Sequence, residues 1–275
     1  MLYPLFILAA LAYGATTFLY GTNSSTASPG SPSSSGVRER SRRAGDISLA
    51  IAGLLHTGCV GAQCVEGDHP FASVFLVVSF AALSAVLGYF VVVVALRKNV
   101  PSLGAILAPV ALIGLVLGVL FGEPASNHLA ATSLLAKSHI GLATAGIALL
   151  TLAAGVAAVY LAMERRLRQK IFRPRPGGIS LLGLDRMHHR LILLVTPVLT
   201  LALVTGVLWI LQLGGPEMLG PRWLELAAGG AAWLASVTLL VTRAAFGMRG
   251  RQAAGLTIIA LLSIIIVLSF YGVRG

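Results

Sequence analysis

The sequence predicts an all-α integral membrane protein, a bundle of eight transmembrane helices with both termini on the extracytoplasmic side. Of its 275 residues, 57% are hydrophobic and only 11% are charged. The mean hydropathy is +0.90, which is far above the range of soluble domains. A third observation, the unequal distribution of Lys and Arg between successive loops, predicts the direction of the helices.

Apolar segments of about 20 residues are needed to cross a hydrocarbon core of about 30 Å. The first, MLYPLFILAA, has no basic residues before it, so we expect a retained helix and not a cleaved signal peptide. The second contains the polar stretch LLHTGCVGAQC and is the weakest candidate. The predicted spans are 2–20, 47–65, 71–96, 102–122, 139–163, 191–213, 223–246 and 253–272.

Basic residues alternate between the loops. Of the 20 Lys and Arg residues, all but Lys137, Arg222 and Arg274 lie in the loops after helices 1, 3, 5 and 7. By the positive-inside rule these loops are cytoplasmic, which places both termini outside. The same rule accounts for the net charge of +11, so we expect contact with the lipid bilayer and none with nucleic acid.

Two domains are predicted. Residues 1–70 hold two helices joined by the cytoplasmic loop GTNSSTASPGSPSSSGVRERSRRAGD, whose first half is flexible and whose basic half lies near anionic headgroups. Residues 71–275 form a six-helix domain. Because Asp and Glu occur only in loops or at helix ends, an ion-coupled transporter is disfavoured. Cys59 and Cys64 lack a CxxC spacing and are interpreted as small core residues.

The histidines are the polar groups with chemical potential. His56 lies near the middle of helix 2, where it needs either a hydrogen bond, with Thr57 as a local candidate, or a ligand. His139 begins helix 5 at its outer end, where it either lies at the interface or faces a ligand. His69 and His128 are expected to be solvated in outer loops. The HisHis pair of LDRMHHR, at 188 and 189, is interpreted as an interfacial anchor.

Histidine is a common axial ligand of haem iron, and an apolar bundle suits the porphyrin. His56 lies about 13 Å from the outer end of its helix, at 1.5 Å per residue, whereas His139 is at the outer edge. Without helix tilt, the two rings would not hold one iron. They fit two separate sites, or His139 pairs with a histidine of an outer loop.

The order of segments in the second domain resembles a known family. First comes a segment with His139 near its start, SHIGLATAGIALLTLAAGVAAVYLAMERRLRQK. It is followed by LDRMHHR and TPVLTLALVTG, and then by GMRGRQAA before the last span. This order resembles the cytochrome c assembly membrane-protein family, which includes CcsA-like and HemX-like proteins. The resemblance implies that His139 is a haem ligand. LQLGGPEMLGPRWLELAAGGAAWL lacks the WWD motif of haem-presenting members, so the chain is closer to the HemX-like branch.

We therefore predict a bacterial inner-membrane protein that binds or passes haem during cytochrome c biogenesis. His139 and His56 are the predicted iron ligands of a b-type haem, which is either bound permanently or carried as cargo. Other cytochrome c maturation proteins are the expected partners. Without a nucleophile constellation, an assembly factor is favoured over an enzyme. Two alternatives stay open, a HemX-like regulator of haem-synthesis enzyme levels that acts through the basic loop 164–190, and a small-molecule secondary transporter.

Overall fold

A computed structural model of the chain describes residues 2–25, 34–66, 71, 73–96, 100–122, 133–170, 179–220 and 222–274. Throughout these residues the regular structure is helical, with no strand. The helices are α1 (Leu2–Ser25), α2 (Ser34–Glu66), α3 (Val74–Leu96), α4 (Pro101–Phe121), α5 (Leu134–Arg168), α6 (Leu181–Gly214), α7 (Trp223–Phe246) and α8 (Arg251–Arg274). A short 3₁₀ helix, Pro216–Leu219, lies between α6 and α7.

Seven of these helices, α1 to α7, are long and apolar enough to cross a membrane. In α8 the apolar stretch among the described residues, Arg251–Ile266, is shorter than a full span. The all-helical class is thus confirmed, and the chain is a multi-pass membrane protein. The eighth crossing and the direction of the termini stay predictions.

Helices that follow one another in sequence pack as pairs, α1 with α2, α3 with α4, α5 with α6, and α7 with α8. Contacts of α1 with α4, of α3 with α5 and of α5 with α8 join the pairs into one bundle. Close approach depends on small residues, as at Gly114, where an added Cβ would lie 2.6 Å from Cβ of Ala82 on α3. Such contacts are the usual means by which membrane helices pack closely.

The two ends of the bundle differ in charge. At one end α5 and α7 finish in basic turns. The first three turns of α6 contain Arg186 and Arg190, and α8 begins with Arg251. We call this the arginine-rich end. At the opposite end, the His139 end, α5 begins and α6 finishes.

Three helices begin well before the positions that hydropathy predicted. α2 begins at Ser34, so the basic half of the first loop is helical, while residues 26–33 lie outside the described residues. α5 begins after Ser133 and α6 after Ser180, and each serine accepts a hydrogen bond from a backbone N–H three residues on. Hydropathy detects the stretch within hydrocarbon, whereas capped helices continue into the polar interface. His139 therefore lies in the second turn of α5.

The two cysteines were predicted to be core residues, and the structure supports this for one of them. Cys59 is buried within the core, but Cys64 is exposed. Five residues turn an α-helix by a net angle of about 140°, so the two side chains cannot share one packed face. The prediction for Cys64 was wrong for this reason.

Candidate functional site

His139 lies on α5 and packs against α6, partly buried between them. Its Nδ1 is 2.8 Å from the carbonyl oxygen of Ala202. Because a carbonyl oxygen only accepts hydrogen bonds, Nδ1 must carry a proton and donate it. The neutral ring then keeps its lone pair on Nε2. Metal-binding imidazoles are commonly fixed in this way, by a hydrogen bond from the second ring nitrogen to a carbonyl group.

Gly206 provides the space that this ring occupies. A Cβ added to Gly206 would lie 2.7 Å from Cε1 of His139 and 2.9 Å from its Nδ1, closer than real Cβ atoms come to other atoms. Gly206 is one turn after Ala202 on α6, so the glycine and the accepting carbonyl face the imidazole together.

Trp209 completes the surroundings of His139 on α6. The centroids of the two rings are 5.7 Å apart at an angle of 42°. Its indole Nε1 is buried and has no hydrogen-bond partner among the described residues. By contrast, Nε1 of Trp233 donates to Oγ1 of Thr200 at 2.8 Å. A buried indole N–H is a donor only and is costly to leave unpaired, so an acceptor from a bound molecule would satisfy it.

α7 begins at the same end, and small residues, AAGGAA at 227–232, follow its first turn. A Cβ added to Gly229 or to Gly230 would meet nothing within 4 Å. Trp223, at the first residue of α7, is 65% exposed, as expected for an aromatic residue at a membrane interface. No described neighbour therefore restricts a side chain at Gly229 or Gly230.

His56, the second predicted ligand, is fully buried among α1, α2 and α3. Its Nδ1 is 3.1 Å from the Tyr13 hydroxyl, and its Nε2 is 2.9 Å from Oγ of Ser79. Thr57, the local partner considered from sequence, bonds to the carbonyl of Gly53 instead. Iron binding by His56 stays a prediction, and it requires the ring to release one of these hydrogen bonds.

The structure does not bring the two predicted ligands together. The contacts of His56 lie on α1 and α3, whereas those of His139 lie on α6. Iron binding by both histidines would therefore need two separate sites, which was one of the two arrangements considered. The other arrangement, a pairing of His139 with His69 or His128, falls on residues outside the described part of the chain.

His188 was predicted to be an interfacial anchor, and this was wrong. It is 5% exposed, and its Nε2 is 2.8 Å from Oγ1 of Thr257. That hydroxyl donates to the Ala253 carbonyl, so Nε2 of His188 is the donor of the first bond. Because α6 begins at Leu181, His188 is already within the bundle. Its neighbour His189 is partly exposed.

Asp185 is a buried carboxylate that the sequence had placed outside the bundle. It accepts hydrogen bonds from Nη1 and Nη2 of Arg243, at 3.2 and 2.7 Å, and from the Gly250 backbone N–H at 3.3 Å. These bonds join α6 to the end of α7 and to the turn before α8. Two cavities of about 10 Å³ flank His188 here, each with room for about one water and none for a porphyrin.

Among the described residues, His139 lacks the neighbouring ligands that a bare metal ion needs. In the part of the chain that the structure describes, no group of three or more His, Cys, Asp and Glu side chains could hold a metal ion. A haem iron already has four porphyrin nitrogens and needs only axial ligands from the protein. At this site His139 has one imidazole with a fixed tautomer, and Trp209 has a buried N–H without a partner among the described residues.

Comparison with known proteins gives one result. The model of the family described as cytochrome C assembly protein matches residues 67–275. Searches of curated proteins and of solved structures give no match. The matched region includes His139, Gly206 and Trp209, whereas α1 and His56 precede it.

Proposed function

The chain belongs to the cytochrome c assembly protein family, and we propose that its role in cytochrome c biogenesis is to bind haem through Nε2 of His139. The haem is held near the end of the bundle where α5 begins and α6 finishes. If the arginine-rich end is cytoplasmic, as the positive-inside rule predicts, this site faces the extracytoplasmic side of a bacterial inner membrane.

The hydrogen bond between His139 and Ala202 carries this proposal. It fixes the proton on Nδ1, orients the ring and leaves Nε2 as the metal-binding atom. No described residue bonds to Nε2, so its lone pair stays available to a metal. Family membership supplies the second line of support, because the matched region contains both partners of the bond.

The residues around the imidazole have separate tasks. Gly206 lets the ring approach α6 closely enough to reach the Ala202 carbonyl. Trp209 offers its N–H to an acceptor such as a propionate, while its ring packs beside His139. Bound haem would supply the iron and the porphyrin, and the protein would orient it and exclude water. This proposal applies equally to haem as a resident group and as cargo.

Absorption spectroscopy tests the proposal. We expect the purified protein in detergent to show a haem Soret band, or to acquire one when haem is added, and His139→Ala to lose it. His189→Ala removes a partly exposed histidine at the arginine-rich end and should keep the band. Added imidazole should restore the band in His139→Gly, because it replaces the missing ligand.

Other outcomes would redirect the assignment. If His56→Ala abolished the band and His139→Ala kept it, the ligand would be His56. A folded wild-type protein that resisted reconstitution with haem would contradict haem binding and favour the regulator or transporter alternatives.

A further inference from the structure

Exposed residues line one face of α6 from Leu182 to Leu208. Its residues fall within an arc of about 100°, at 100° per residue, and every one is exposed. We call this set the α6 stripe. It consists of Leu182, Arg186, Arg190, Leu193, Pro197, Leu201, Val204 and Leu208.

The stripe changes from charged to apolar at a defined depth. After Arg190 it contains only apolar residues as far as Leu208, a distance of about 27 Å at 1.5 Å per residue. This length matches a hydrocarbon core of about 30 Å. When the apolar part lies against acyl chains, Arg190 reaches the headgroup level and Arg186 lies one turn further out.

No residue that the structure describes neutralises the charges of these two arginines. Neither Arg186 nor Arg190 forms an ion pair or hydrogen bond with any residue that the structure describes. The neighbouring carboxylate, Asp185, is turned into the bundle and is already bonded to Arg243. Exposed Arg249 and Arg251, on either side of Gly250, add further positive charge near the same contact.

We propose that the α6 stripe is a binding site for an anionic phospholipid. Its phosphate contacts Arg186 and Arg190, and one acyl chain lies along Leu193, Leu201 and Val204. Two guanidinium groups one turn apart suit a phosphate, because each can donate paired N–H groups to its oxygens. The headgroup end of this site is separate from His139, which belongs to α5 and packs against the other end of α6.

A matched control is available on α5. Arg165 and Arg166 are exposed, they lie at the same end, and they too have no partner among the described residues. However, α5 is covered by its neighbours, and only Ala145 and Ala162 are exposed between Lys137 and Arg165. The pair therefore has the same charge without an apolar stripe beneath it.

Native mass spectrometry of the full chain in neutral detergent tests this site, with phosphatidylglycerol and phosphatidylcholine as probes. We expect wild type and Arg165→Gln/Arg166→Gln to retain phosphatidylglycerol in preference to phosphatidylcholine. Arg186→Gln/Arg190→Gln should bind phosphatidylglycerol about 30-fold more weakly, since each basic residue near anionic headgroups contributes about fivefold. Thermal unfolding of both variants checks that they are folded.

Three results would overturn the proposal. Equal losses in the two double variants would show a diffuse effect of charge. Displacement of the lipid by glycerol phosphate at an equal concentration would show a site for a free anion, with no contribution from the acyl chain. A wild-type dimer that dissociates in Arg186→Gln/Arg190→Gln would show that a second copy of the chain covers this face.

Discussion

Replacing Gly206 by alanine tests the geometry of the His139 site most directly. The new Cβ would lie 2.7 Å from Cε1 of His139, whereas ordinary contacts begin at 3.4 Å. If α6 stays in place, the ring would therefore have to move by about 0.7 Å, which is the difference between these two distances. A shift of this size is enough to stretch the 2.8 Å bond from Nδ1 to the Ala202 carbonyl beyond its useful range.

Loss of a hydrogen bond that orients a metal ligand weakens metal binding by about 10-fold to 100-fold. We expect Gly206→Ala to weaken haem binding by a factor in this range, measured by titration of the purified protein with haem at the Soret band. The extra methyl group should also destabilise the protein by about 1 to 3 kcal/mol through overpacking, measured as a lower unfolding temperature without haem.

Gly229→Ala is the matched control, because a Cβ at that position meets nothing within 4 Å. Both substitutions raise helix propensity by a similar amount, about 0.5 to 1 kcal/mol, so their difference isolates the contact with His139. Equal haem affinities for the two variants would refute the role of Gly206. Equal unfolding temperatures without haem would refute the close contact itself, whether or not the protein binds haem.

Three further substitutions test other parts of the structure. Trp209→Phe should weaken haem binding several-fold, which corresponds to about one hydrogen bond. It should leave the unfolding temperature nearly unchanged, because the lost N–H has no partner among the described residues. A large loss of stability would contradict this. Ser79→Ala leaves Nε2 of His56 unpaired and should destabilise the bundle by about 0.6 to 1.7 kcal/mol. The unfolding temperature should fall while the Soret band stays unaltered. An altered band would instead connect His56 to the haem. Asp185→Asn should destabilise the folded protein by about 3 to 5 kcal/mol, because Arg243 keeps its charge without a counter-ion. The double variant Asp185→Asn/Arg243→Met should recover part of that loss in the unfolding temperature. Additive effects of the two substitutions would show that the pair is not coupled.

The sequence was sufficient for the class of the protein and for the location of its helices. Hydropathy depends on the residues of one segment alone, so it identifies a membrane helix without knowledge of the neighbours. The alternation of Lys and Arg between successive loops is also a property of the linear sequence, so it could be recognised without knowledge of the packing. The limits of α2, α5 and α6 were less predictable, because a capped helix continues beyond the stretch that lies in hydrocarbon.

The sequence also singled out His139, because an imidazole at the edge of an apolar segment is conspicuous. Only the tertiary structure decided how each histidine is engaged. The carbonyl that fixes the tautomer of His139 belongs to a residue 63 positions away, and the partner of His188 lies 69 positions away. Hydrogen bonds depend on which helix faces the side chain, and the spacing of residues within one helix carries no information about that choice. For the same reason Gly206, the unpaired N–H of Trp209 and the buried Asp185 acquired their meaning only when the helices were packed together.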